Sequence, residues 1–163
     1  MHDEWALVIP VDPTVVPDPV AQFKALQLWA SRDKTGASKA LELHTDIRYY
    51  PPMEGALSNV CCPHCRSHIE PAWFDEAVHA AKQGKYANLI AWIPCCDTCV
   101  SLNELRVKSG FLPYGFAKFS LRGYRPDPLS LGQLTVRQLE GILGCPLRVV
   151  WLTVTGAGAT GQG

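Results

Sequence analysis

The chain has 163 residues, 47% hydrophobic and 18% charged, which is enough apolar material for the core of about one ordinary domain. Lys plus Arg and Asp plus Glu stand at 15 each, so the basic excess of a protein built to grip nucleic-acid phosphates or an anionic membrane is missing. No apolar run reaches bilayer-spanning length and MHDEWALVIPVDP lacks the features of a secretory signal, so the expected compartment is a reducing cytoplasm.

Trp5 to Val11 (WALVIPV) predicts a buried strand, closed by the turn-rich VDPTVVPDP. Asp18 can cap a helix that has Pro19 at its first position and Phe23, Leu26 and Ala30 on one face. From Ala40 to Tyr50 the chain alternates. Leu41, Leu43, Thr45, Ile47 and Tyr49 are expected to face inward, with Glu42, His44, Asp46 and Arg48 outward. The C-terminal third repeats this order. FAKFSLR (116–122) is a strand, a helix follows with a Thr135/Gln138 capping box and a Leu134/Leu139 staple, Gly144 ends it, and LRVVWLTV (147–154) is a strand. Two strand–helix–strand units predict an α+β, ferredoxin-like sandwich, a four-stranded antiparallel sheet with two helices on one face. Its discontinuous core is expected over 1–57 and 111–155, with an insertion over 58–110 between the second and third core strands. The Gly-rich tail 156–163 is expected to be disordered.

The insertion carries a repeated word. Residues 61–70 read CCPHCRSHIE and residues 95–104 read CCDTCVSLNE, both Cys-Cys-x-x-Cys-x-Ser-x-x-Glu. Seven cysteines in a reducing compartment point to metal rather than to disulfides. Two C-x-x-C turns supply four thiolates, the tetrahedral shell of a structural Zn²⁺, so each copy reads as half of a zinc ribbon. The expected ligands are Cys62, Cys65, Cys96 and Cys99, because Pro63 stiffens the first turn and the repeat selects the equivalent positions of the second. Cys95 and His68 are alternates, Cys61 and Cys95 otherwise packing as small apolar side chains. Iron in a rubredoxin-like site is the alternative metal. A helix from Pro71 to Gly84 (Phe74, Val78 and Ala81 on one side) and the strand YANLIAWIP lie between the two words.

Four thiolates leave no open position, so the metal is expected to be structural and no catalytic residue is assigned. Cys145 follows a helix C-terminus, whose negative potential disfavours a thiolate. Asp75, Glu76 and His79 read as a solvated helix face, and Glu42, His44, Asp46 and Arg48 as partners of Lys118 and Arg122 across strands. YGFAKFSL carries a partial RNA-recognition pattern, so an RNA-binding module using Phe116 and Lys118 is a competing reading. A zinc- or thiol-dependent enzyme is another. The first and last strands are apolar on both faces, so Val150 and Leu152 need a cover: the zinc module, a second copy, or a partner.

As a set, C-P-x-C (62–65), P-C-C-x4-S-L-N-x-L (94–105), G-F-A-x-F-x-L (115–121) and L-x-x-I-L-G-C-P-L-R (139–148) resemble a family of small uncharacterised bacterial proteins. The resemblance spans roughly 58–152 and implies no established activity. The expectation is a non-catalytic zinc-binding interaction protein whose partner is a protein, another copy of itself included.

Overall fold

The computed structural model describes residues 2–155; the expected tail, 156–163, lies outside them. Strands are β1 (His2–Pro10), β2 (Lys39–Tyr50), β3 (Val60–Cys61), β4 (Ile90–Ile93), β5 (Thr98–Ser101), β6 (Arg106–Val107), β7 (Phe111–Leu112), β8 (Gly115–Tyr124) and β9 (Leu147–Thr155). Helices are α1 (Pro19–Arg32), α2 (Pro71–Gln83) and α3 (Gln133–Leu143). The fold is α+β. Its main sheet runs β2-β8-β1-β9-β7, antiparallel except where β7 joins β9 in parallel. Two further ladders, β3 with β6 and β4 with β5, belong to the insertion.

The sheet has a core on each face, which explains why the central runs of β1 and β9 are apolar on both faces. Ala6 and Val8 of β1, Phe119 and Leu121 of β8 and Val149 of β9 pack under α1 and α3, against Trp29, Leu139 and Leu143. On the other face Leu7, Ile9, Phe116 and Val150 meet Phe74, Ile93, Val100, Leu102 and Leu105 from the insertion. Leu152 packs against the same cluster. The cover that Val150 and Leu152 require is therefore the chain's own insertion, and that insertion is not coreless, because it shares the sheet's apolar surface.

Asn103 holds the two parts in register. This fully buried side chain donates from Nδ2 to the carbonyls of Val11 (3.1 Å) and Phe116 (2.9 Å) and accepts from the Phe116 N–H (3.2 Å). Arg148 donates to the Asn103 carbonyl at 2.9 Å, and the Tyr114 hydroxyl donates to that of Leu102. A buried polar group that satisfied costs little, and it fixes one geometry.

Several local expectations shift. On α1 the buried residues are Gln22, Ala25 and Trp29, while Phe23 is 55% exposed. The helix has turned to bury its largest ring, whose Nε1 donates to Ser130 Oγ at 3.0 Å. The capping box of α3 does not form, because Gly132 is the N-cap. Thr135 and Gln138 instead accept from Arg32 of α1. Gly144 ends α3 in the left-handed conformation (φ +76°), as its position suggests. Strict alternation in β2 fails at a bulge, since pairing with β8 jumps from Leu43↔Phe119 to Arg48↔Ala117. Leu43 lies on the helix face of this edge strand but is 60% exposed.

Candidate metal centre

Two turns from distant parts of the insertion converge. The first follows β3. Arg66 N–H donates to the Cys62 carbonyl (3.0 Å) and Cys62 N–H to the Ser67 carbonyl (2.8 Å), which folds 62–66 into a tight knuckle with Arg66 at φ +65°. The His64 N–H points at Cys62 Sγ, 3.4 Å away, a donor already aimed at the sulfur. The second turn closes the β4–β5 hairpin. Ile93 and Thr98 are the last pair, so Pro94, Cys95, Cys96 and Asp97 form the loop. Asp97 turns the chain at φ +48° while its Oδ1 accepts from Trp92 Nε1 at 2.9 Å.

The sulfurs of Cys62, Cys65, Cys95 and Cys96 all lie within 4.8 Å of one another. Cys62 Sγ and Cys96 Sγ are 3.8 Å apart. A tetrahedron with metal–sulfur bonds of about 2.3 Å has edges of about 3.8 Å, so the donor set fits a thiolate-bound ion. Three of the four first-named ligands are in this group, and its fourth member is the alternate, Cys95. Cys99 is not in it. Strand side chains alternate, and in β5 Val100 is 5% exposed on the inward face while Cys99 stands opposite Trp92 on the outward one. The adjacent doublet Cys95–Cys96 reaches the cluster because both residues occupy the loop rather than a strand. His68 is bridged to Cys61, with Nδ1 4.0 Å from the Cys61 sulfur, and is also outside the group.

The electrostatics suit a cation. Hydrogen bonds from the Ser67 side chain and backbone, then contacts with Cys96 and Cys95, lower the Cys65 thiol to about 6. Desolvation, then contacts with Cys65 and Cys62, push Cys95 up to about 12. Contact with Cys65, followed by desolvation, raises Cys96 to about 11. One sulfur ionises readily and then resists its neighbours; a divalent cation reverses that resistance.

Both turns continue into the walls of a groove of about 590 Å³ between α2 and the hairpin. Trp73 stands on one wall and Trp92, 55% exposed, on the other. Ala77 and Ala80 line the groove as well, and Glu76 is the charged group in the lining. Each indole N–H is used internally, Trp73 to the Trp92 carbonyl (2.9 Å) and Trp92 to Asp97, so both rings are held in place. The spacing Trp73, Ala77, Ala80 is one helical stripe and is visible in the sequence. Its pairing with Trp92 depends on the hairpin.

Glu76 apart, the other singled-out residues separate from this site. Asp75, Glu76 and His79 are exposed on α2. Burial, with Glu140 and Asp12, raises the Cys145 thiol, keeping it protonated. Phe116 is fully buried and stacks on Tyr49 at 4.6 Å, so it offers no face to a base, while Lys118 is half-buried beside it in sequence. Among the described residues no helix is long and apolar enough to cross a membrane. Comparison with protein-family models, curated proteins and solved structures finds no match to this chain.

Proposed function

We propose that this chain is a zinc-stabilised interaction module that takes a segment of another protein into the Trp73–Trp92 groove. The observation that carries it is the junction of site and groove: Cys95–Cys96 follow the strand bearing Trp92 after the single residue Pro94, and the Cys62–Cys65 knuckle leads into α2. Four sulfurs close the coordination shell, which supports a structural role over a catalytic one, and thiolate-only ligation favours Zn²⁺. When bound, the ion would supply a cross-link between the two turns. Support for a ferredoxin-like core comes from the strand order β2-β8-β1-β9 with α1 and α3 on one face, and the paired turns support reading the insertion as a zinc-ribbon-like element.

The occupant suggested by the groove is an extended segment presenting an apolar side chain beside a basic one. The walls are indole faces, which attract both apolar groups and cations, and Glu76 adds the negative charge. Metal per chain, measured on freshly purified protein, is expected to be one zinc. Peptides selected from a random library against the zinc-loaded chain are expected to carry that basic–apolar pair. They are also expected to bind about tenfold more weakly to Trp92→Ala and to Glu76→Gln. Selected peptides indifferent to both substitutions would show that they bind outside the groove, whereas iron or no metal would overturn the zinc assignment.

A further inference from the structure

A second cluster lies on the edge strand β2, on residues that neither the metal centre nor the groove uses. Between Leu43↔Phe119 and Arg48↔Ala117 the bulge sets residues 44–47 of β2 against Lys118 alone. Bulges re-aim side chains, and among the described residues only the Glu42–Arg122 pair of the expected ladder forms. Arg122 keeps its partner, with its guanidinium 3.1 Å from Glu42 and stacked 3.8 Å from the centre of the Trp5 ring. Arg48 has no such partner. Among the described residues no carboxylate lies within ion-pair distance of it, and its Nε is buried without an acceptor. Its guanidinium instead sits 5.4 Å from the centre of the Tyr50 ring.

Around it stand three more hydrogen-bonding groups. The Tyr50 hydroxyl and His44 Nε2 are 3.3 Å apart. Ser120 is 1% exposed and its Oγ has no partner at full hydrogen-bond geometry. All of these act on one hydroxyl. Burial and Glu42 raise the Tyr50 phenol, and Ser120, Arg48 and Arg122 ease that rise. His44 and Arg48 are half-exposed, so the cluster opens to solvent. A water could satisfy one orphaned donor, but it could not balance the charge on Arg48. A metal cation would be repelled by the same guanidinium.

We infer that the bulged edge of β2 is a binding site for a small oxyanion, a carboxylate or phosphoryl group held by Arg48, Ser120, Tyr50 and His44. A guanidinium fork beside neutral hydroxyl donors is the donor set such oxygens require. The Glu42 carboxylate is compensated by Arg122 and limits the site to ligands of low charge.

The test uses the full zinc-loaded chain and two probes, inorganic phosphate and acetate, titrated at constant ionic strength against chloride. The readout is the NMR resonances of the Arg48 Nε–H and of the backbone N–H groups of 42–50. Saturable shifts with at least one probe are expected. Saturation by phosphate alone identifies a phosphoryl ligand, and by acetate alone a carboxylate. Arg48→Gln is expected to weaken binding about tenfold or more, with Arg48→Lys between it and the parent, and Ser120→Ala about threefold or more. Unchanged zinc content and circular dichroism of Arg48→Gln, whose side chain is half-exposed, separate lost binding from lost fold. Shifts that never saturate, that chloride reproduces, or that saturate with unchanged affinity in Arg48→Gln overturn the inference.

Discussion

At the scale of single residues, the choice between Cys95 and Cys99 decides which four thiolates would hold the proposed zinc. Cys95 belongs to the sulfur group and Cys99 faces outward from β5. Structural zinc contributes about 10–16 kcal/mol of apparent binding free energy in small domains, so losing one of four thiolates is a large effect. Cys95→Ser is therefore expected to surrender its metal to a competing chelator that leaves the parent loaded, while Cys99→Ser keeps one equivalent. Elemental analysis after dialysis reads both, and the reverse pattern would restore the repeated C-x-x-C register. A second residue, Asp33, is buried at the end of α1. It accepts from Thr35 N–H (3.0 Å), Thr35 Oγ1 (2.8 Å), Asp127 N–H (3.0 Å) and the Lys39 ammonium. Burial alone would raise its carboxyl, but Lys39 and these donors outweigh it and hold the group well below its ordinary 3.8. Its contribution is therefore full above that value and is lost as pH falls through it toward the lower folded-state value. Asp33→Ala is expected to cost about 3 kcal/mol at neutral pH, because Lys39 is left buried and unpaired. In urea unfolding the gap from the parent is expected to narrow below about pH 4; a gap independent of pH would dissociate the carboxylate from the effect.

At the scale of elements, close packing sets the tolerances. A Cβ added to Gly123 of β8 would lie 2.6 Å from Trp29 Cη2 and 2.9 Å from Cζ2. Trp29 is fully buried and tethered through Nε1 to Ser130, so it cannot retreat freely. Gly123→Ala is expected to destabilise by about 1–3 kcal/mol, seen as a lowered thermal midpoint with zinc content unchanged. A neutral result would mean that α1 is looser on the sheet than its buried ring implies. The same packing explains what could be read in advance. Elements whose signal is local were legible: the Asp18 cap with Pro19, the Gly144 stop, and the apolar runs of β1 and β9. Features set by competition between distant groups were not. Thr135 and Gln138 look like a capping box until Arg32 claims both, and Phe23 looks like core until Trp29 outweighs it. The repeated word and the sulfur geometry diverge for a related reason. It records similar residues in two turns, but the second turn is a hairpin whose strand carries Cys99 away. Asn103 gave no local sign at all, since its three partners come from positions 11 and 116.

At the scale of the whole molecule, the insertion divides into a part fastened to the sheet and a part where the four sulfurs converge. Asn103, Arg148 and Tyr114 fasten the segment around Leu102 and Leu105 through hydrogen bonds that involve no sulfur. Among the described residues, the knuckle at 62–66 and the hairpin loop at 94–97 have no comparable polar anchor to the sheet, and β4 and β5 pair only with each other in a two-stranded ladder. An isolated hairpin of that size is marginal in water, so its order rests on the sulfur cross-link and on Ile93 and Val100 packing inward. Removing zinc with a strong chelator is accordingly expected to free the outer part first. Amide exchange is expected to accelerate across 62–66 and 90–101 while 102–105, β1 and β8 stay protected. Trp92 emission is expected to shift to longer wavelength as its bond to Asp97 loosens, and the loss is expected to be absent in Trp92→Phe. Because Phe74 and Ile93 cover the same cluster as Leu7 and Val150, a hydrophobic dye is expected to bind the chelated chain and to be released when zinc is restored. Uniform acceleration of exchange over α1, α3 and the sheet would mean instead that metal and sheet fold as one cooperative unit. Unchanged exchange at the two turns would mean that sulfur and zinc do not hold them together.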